Sequence, residues 1–215
     1  MEEELFRRVM EYDFSSIEEW IELGNSINIC NENGNSLFAE FLNGYYSYGD
    51  IPSEEAEQLN SRDQCDYEFW ESFVSFRQQT PLESRSSGIL DQMNFFFTNG
   101  ADVNLCKLQP GGMVETPLSI AVCAEDYYIT KYLLEHGANP KVRLFDEDTP
   151  GNQTEHWLIE HMDVRMMDSK GKQFDNELRI AALLAKHGLD DFGGLCISID
   201  KDTRTIIGHK LKVMY

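Results

Sequence analysis

Residues 116–142 read TPLSIAVCAEDYYITKYLLEHGANPKV. This stretch predicts a helix, a turn, a second helix and a tight glycine turn. Thr116 is placed as an N-cap, whose hydroxyl accepts from an orphan backbone N–H of the first helical turn. Pro117 suits the first helical position, where its missing N–H costs nothing and its φ is preset. Leu118, Ala121 and Val122 fall on one face of a short helix, and Ile129, Leu133 and Leu134 mark the next. Gly137 ends that second helix in the left-handed conformation glycine adopts without strain. His136 precedes it, where the negative end of the helix dipole tolerates positive charge. Two helices this short cannot bury their apolar faces alone and need similar neighbours on both sides.

The rest of the chain supplies such neighbours. Phe95 to Asn104, FFFTNGADVN, copies the helix end and the turn, and Gly100 to Gly137 spans 37 residues. Residues 105–115, LCKLQPGGMVE, make a long connecting loop with Pro110-Gly111-Gly112 at its tip. Near the N-terminus, Ile17, Trp20 and Ile21 line a helix that ends at Gly24. Residues 25–38 then run as turn, finger and next helix start, with Ser36 and Leu37 in the places of Thr116 and Pro117. IAALLAKHG at 180–188 is a degenerate fourth copy. The spacing is uneven. Gly24 to Gly100 is 76 residues and Gly137 to Gly188 is 51. The first gap holds either a diverged repeat or a helical insertion over about 43–91. Within it YEFWESFVSF at 67–76 has helical aromatic spacing, whereas Thr80-Pro81 and 84–88 read as breaks. In the second gap a helix is predicted over 149–165, and the polar DSKGKQFD at 168–175 reads as a loop. At 195–215, isoleucine alternation about a charged turn predicts a β-hairpin.

TPLSIA at 116–121, followed by LLEHGANP at 133–140, resembles an ankyrin repeat. The family pattern is Thr-Pro-Leu-His-x-Ala in the first helix and Leu-Leu-x-x-Gly-Ala-Asp closing the second. Ser119 departs from the histidine and Asn139 from the aspartate. The resemblance implies an all-α ankyrin-repeat helical solenoid with irregular repeats over 1–194 and a C-terminal β-hairpin cap or tail over 195–215. It also implies a non-catalytic protein–protein interaction module, with no cofactor and no metal, binding through its finger loops and concave face. Carried over by position, the partner-binding candidates are Asn31, Glu32 and Asn33 in the first finger. Lys107, Leu108, Gln109 and Met113 follow in the second. Arg143, Leu144, Phe145, Asp146, Glu147 and Asp148 follow in the third, with Phe145 as the apolar anchor.

Charge narrows the partner. The 38 acids against 18 bases leave −20, which disfavours nucleic acid and anionic membranes and favours a protein partner with a basic surface. Aromatic residues at 12% supply core anchors, which argues against disorder. No apolar run is long enough to span a membrane, and MEEELF lacks the order of a signal peptide. Cys30, Cys65, Cys106, Cys123 and Cys196 form no close pairs, which fits a reducing cytoplasm. A monomer is expected. No catalytic constellation emerges: His156 and His161, five residues apart, fall roughly 140° apart around a helix, too far for a shared zinc. Two other readings stay open, an immunity-type neutraliser of a cationic toxin and an enzyme with its site in 43–91.

Overall fold

The computed structural model describes residues 2–48, 80–85, 88–146, 172–189, 195–199 and 206–210. Seven helices lie among them: α1 (Glu2–Met10), α2 (Phe14–Glu22), α3 (Leu37–Tyr48), α4 (Ile89–Thr98), α5 (Pro117–Cys123), α6 (Tyr127–Glu135) and α7 (Lys172–Lys186). A 3₁₀ turn, Leu82–Ser84, leads into α4. Strands β1 (Leu195–Ile199) and β2 (Ile206–Lys210) pair antiparallel, with Leu195 opposite Lys210 and Ile199 opposite Ile206.

The caps form where the sequence places them. Thr116 Oγ1 accepts from Ser119 N at 3.2 Å, while Thr116 N donates to Ser119 Oγ at 2.9 Å. Ser119, the departure from the family histidine, therefore closes a reciprocal capping box at the start of α5. Ser36 Oγ likewise accepts from Ala39 N at 3.2 Å and starts α3. At the other end, α2, α4, α6 and α7 all finish in the same way. Gly24, Gly100, Gly137 and Gly188 have φ of +83°, +77°, +91° and +99°. The residue after each glycine donates back to a carbonyl five residues earlier, Asn25 to Trp20, Ala101 to Phe96, Ala138 to Leu133 and Leu189 to Leu184. This is the six-to-one bond of a Schellman cap, repeated four times.

Between α1 and α2, and again between α5 and α6, the chain turns on a non-glycine residue in the left-handed region, Tyr12 at φ 63° and Glu125 at φ 54°. Each is followed by an aspartate, Asp13 and Asp126, at the N-cap of the next helix.

The helices fall into two rows. In one, α1 packs on α3 and α3 on α5. Gly44 lets α1 and α3 approach closely, since a Cβ there would sit 2.6 Å from Met10 O. The other row runs α2, α4, α6, α7. Phe14 meets Phe95 at 5.4 Å between ring centroids, Phe97 meets Tyr132 at 5.8 Å, and Arg179 lies 3.7 Å over Tyr127. Phe38 joins the rows by stacking on Phe96 at 4.6 Å. Val9, Ile17, Leu42, Ile89, Met93, Ile129, Leu133 and Leu184 are fully buried between them. Each large apolar side chain so removed from water contributes about 1.5–3 kcal/mol before entropy is subtracted.

One expectation changes in detail, and two features are added. Of Phe95, Phe96 and Phe97, Phe96 is fully buried and its half-buried neighbours pack against the core and carry contacts along the row. The predicted loop at 168–175 is helical from Lys172, where α7 begins. Helix α1 was not foreseen, although Leu5, Phe6 and Val9 form its buried face. The helices predicted at 67–76 and 149–165 lie outside the described residues.

Candidate functional site

The connecting turns carry the candidate residues, and their backbones are held in register by amides. Asn28 Nδ2 donates to Gly100 O at 2.9 Å, and Asn28 Oδ1 accepts from Asp102 N at 2.7 Å. One turn further on, Asn104 Nδ2 donates to Gly137 O at 3.0 Å, and Asn104 Oδ1 accepts from Asn139 N at 2.7 Å. Each asparagine stands four residues after its own helix-ending glycine, so one two-way clip recurs at two successive junctions. The turn at 25–36 thus abuts the turn at 99–115 directly. Lys107 N donates to Gly34 O at 2.8 Å, and a Cβ on Gly34 would fall 1.9 Å from Lys107 O. Cys30 faces Ser36, Asn35 faces Cys106 and Met113 faces Phe145 in isolated antiparallel bridges.

In the first finger Asn31 is occupied internally. Its Oδ1 accepts from Asn33 N and Asn35 N, both at 3.0 Å, and its Nδ2 donates to Glu40 Oε1 at 2.9 Å. Asn35 donates to the same oxygen at 2.8 Å and accepts from Glu115 N at 2.9 Å. Glu32 and Asn33 are exposed at the tip. In the second finger Lys107 is exposed, Leu108 and Gln109 are half-buried, and Met113 is 44% exposed. In the third, Val114 N donates to Leu144 O at 2.8 Å, and Gly111 N donates to Asp146 Oδ2 at 3.1 Å. Arg143 donates through Nε to Phe145 O at 2.8 Å and also reaches Asp146 O.

Leu144 requires a correction. At 1% exposure its side chain is part of the interior and offers no contact to a partner. Beside the isolated bridge between Met113 and Phe145, Val114 and Leu144 turn inward while Met113, Arg143 and Asp146 stay exposed. Phe145 is half-buried rather than fully exposed, lying opposite Met113. Glu147 and Asp148 lie outside the described residues, as does 49–79, the larger part of the 43–91 segment read as a host for an enzyme site.

Burial pushes the Cys30 and Cys106 thiols up, away from the thiolate a nucleophile needs. Among the described residues no group of three His, Cys, Asp or Glu side chains is placed to hold a metal. None of their helices is long and apolar enough to cross a membrane.

One polar constellation escaped the sequence reading. Arg85, in the segment read as a break, is fully buried against Asp126, with Nη1 at 2.5 Å from Oδ2 and Nη2 at 2.9 Å from Oδ1. Arg85 also donates to Tyr45 Oη at 2.9 Å and to Thr80 O at 3.1 Å. Asp126 Oδ1 accepts in addition from Tyr128 N and Ile129 N, both at 3.1 Å, as the cap of α6. Burial opposes the Arg85 charge, but the adjoining carboxylate outweighs it and the pKa is raised. No local pattern announces this pair, whose members stand 41 residues apart.

The fold and its turns define a helical protein of paired helices joined through clipped loops. The family model for the ankyrin repeat matches residues 115–143, the stretch with the capping box, Glu125 at the turn and Gly137 at the close. The chain therefore carries an ankyrin repeat over residues 115–143. No curated protein matches the chain. An ankyrin repeat suggests a protein–protein interaction module.

Proposed function

We propose that this chain is a non-catalytic binding module whose partner docks across the second and third fingers of an irregular ankyrin-type solenoid. The observation that carries the proposal is the Met113–Phe145 bridge. It places an exposed methionine beside a half-buried aromatic ring on adjacent turns whose backbones are fixed by the Asn104 clip. Rigid apolar anchors ringed by polar groups are what interfaces concentrate energy in. Lys107, Gln109 and Asp146 form that rim, and Glu32 and Asn33 extend it to the first finger. Leu108 adds apolar area.

The partner is a protein with a basic surface. Residues 2–22 alone carry eight acids against two arginines, a net −6 of the chain's −20. Both arginines are already engaged, Arg7 by Glu4 and Glu11 and Arg8 by Glu4 and Asp13. Such a field steers a cationic partner and repels anionic ones. This excess also favours a second reading, an immunity-type neutraliser of a cationic toxin. The module works as a cytoplasmic monomer. Residues 49–79 are an insertion between α3 and α4 within one repeat, a reading supported by the direct contact of the 25–36 and 99–115 turns. The β1–β2 hairpin covers the end of the stack beyond α7.

Affinity purification from the native cell with the Met113→Ala/Phe145→Ala variant tests the docking site. A basic protein recovered by the parent and by Leu23→Ala, but lost by the double variant, is the expected outcome. Equal recovery by all three removes the finger assignment. Binding that persists undiminished in half-molar salt removes charge as its basis.

A further inference from the structure

We infer that Arg85 is a strap that holds both ends of the 49–79 segment against the ankyrin repeat at 115–143. The geometry joins three places far apart in the chain. Tyr45 lies in the last turn of α3, on the chain entering 49–79, and its hydroxyl oxygen accepts from Arg85 Nη1. Thr80 is the first described residue on the chain leaving it, and its carbonyl accepts from Arg85 Nε. Asp126, in the turn between α5 and α6, anchors both terminal nitrogens of the same guanidinium. One side chain with five fixed donors can make this set of bonds at once. A lysine has a single nitrogen and cannot reach all three.

The strap accounts for why α3 and α4 close on each other despite the 40 residues that separate them, where α1–α2 and α5–α6 are joined by three. The short connections enforce closure covalently; across the long one it falls to contacts between the helices and to Arg85. Arg85 and Asp126 have no exposed side-chain surface, and removing the arginine leaves the Asp126 carboxylate buried without its guanidinium. Asp126 ties the strap to α6 itself, because its Oδ1 also accepts from the first-turn amides.

Hydrogen exchange by mass spectrometry on the full chain tests this, using Arg85→Met, Arg85→Lys, Asp126→Asn and the Arg85→Met/Asp126→Asn double variant. Asparagine keeps the capping oxygen of α6 while removing the charge. The expected result is exchange in 80–98 about tenfold or more faster in Arg85→Met, with 2–22 changed far less. The double variant should exchange no faster than Arg85→Met alone, since both substitutions cut one contact. Should Arg85→Met not fold, Arg85→Lys carries the same comparison with a smaller acceleration in the same segment. Equal acceleration across every helix, no acceleration at 80–98, or multiplicative effects in the double variant would each overturn the strap.

Discussion

The turn after Gly100 and the turn after Gly137 carry different side chains at one matched position. Four residues beyond Gly100 stands Asn104, which gives one hydrogen bond to the next turn and takes one from it. Four residues beyond Gly137 stands Lys141. An ammonium donates but cannot accept, so the two-way clip cannot be completed there. The helices α6 and α7 still pack on each other beyond it. Two junctions combine row packing with an asparagine clip, at Asn28 and Asn104, and the α6–α7 packing follows a turn whose matched residue cannot complete one.

The contrast can be broken or sharpened by substitution. The largest effect is expected at the first junction. Gly34→Ala drives a Cβ to 1.9 Å from Lys107 O at a φ of +87°. It should cost about 3 kcal/mol or more, read as a drop in the urea midpoint, because backbone rather than a pliant side chain must yield. Asn104→Ala strips the second junction of its clip and leaves Gly137 O and Asn139 N without that partner. A loss of about 1–2 kcal/mol is expected, and a neutral result would show that water replaces the amide at no cost. Lys141→Asn runs the other way. If register is what the third junction lacks, it should gain up to about 1 kcal/mol, seen as slower hydrogen exchange over 180–189.

The smallest effect concerns acid. Arg7 and Arg8 hold the Glu4 carboxyl down from the usual 4.5 to about 2, and the hydroxyls of Ser15 and Ser16, with Arg8, lower Asp13 to about 2. A depressed carboxyl stabilises the fold above its unfolded pKa and ceases to as it protonates. Protection of 2–22 should therefore fall between about pH 4.5 and pH 2, modestly, since these groups are exposed and salt screens them.

What could be read from the sequence was what is local. The Thr116 cap, Pro117, the turn at Gly137 and its counterparts at Gly24, Gly100 and Gly188 each depend on a few adjacent residues, and each stands in the structure. Ser36 was legible for the same reason. The candidate fingers were legible as positions but not as orientations. Leu144 and Phe145 share the third finger by position, and the structure buries Leu144, whose carbonyl accepts from Val114 N, while Phe145 stays half-buried. Asn31 is a finger residue by position, and its bonds to Asn33 N and Glu40, which organise that finger, depend on side-chain orientation that a position does not give. Arg85 was invisible, since a buried ion pair depends on which distant carboxylate the fold brings to it. Lys172 to Asp175 read as a loop because their polar composition hides the helix start.

Asp126 performs two jobs with one carboxylate, capping α6 and receiving Arg85. Those jobs place different demands on inheritance. The cap tolerates serine, threonine or asparagine, but the pair tolerates only an acid. A lineage that loses Arg85 is thereby released from the acid while still bound to the cap. Among descendants of this chain the arginine and the aspartate should disappear together, and the position of Asp126 should then drift among the neutral capping residues rather than at random.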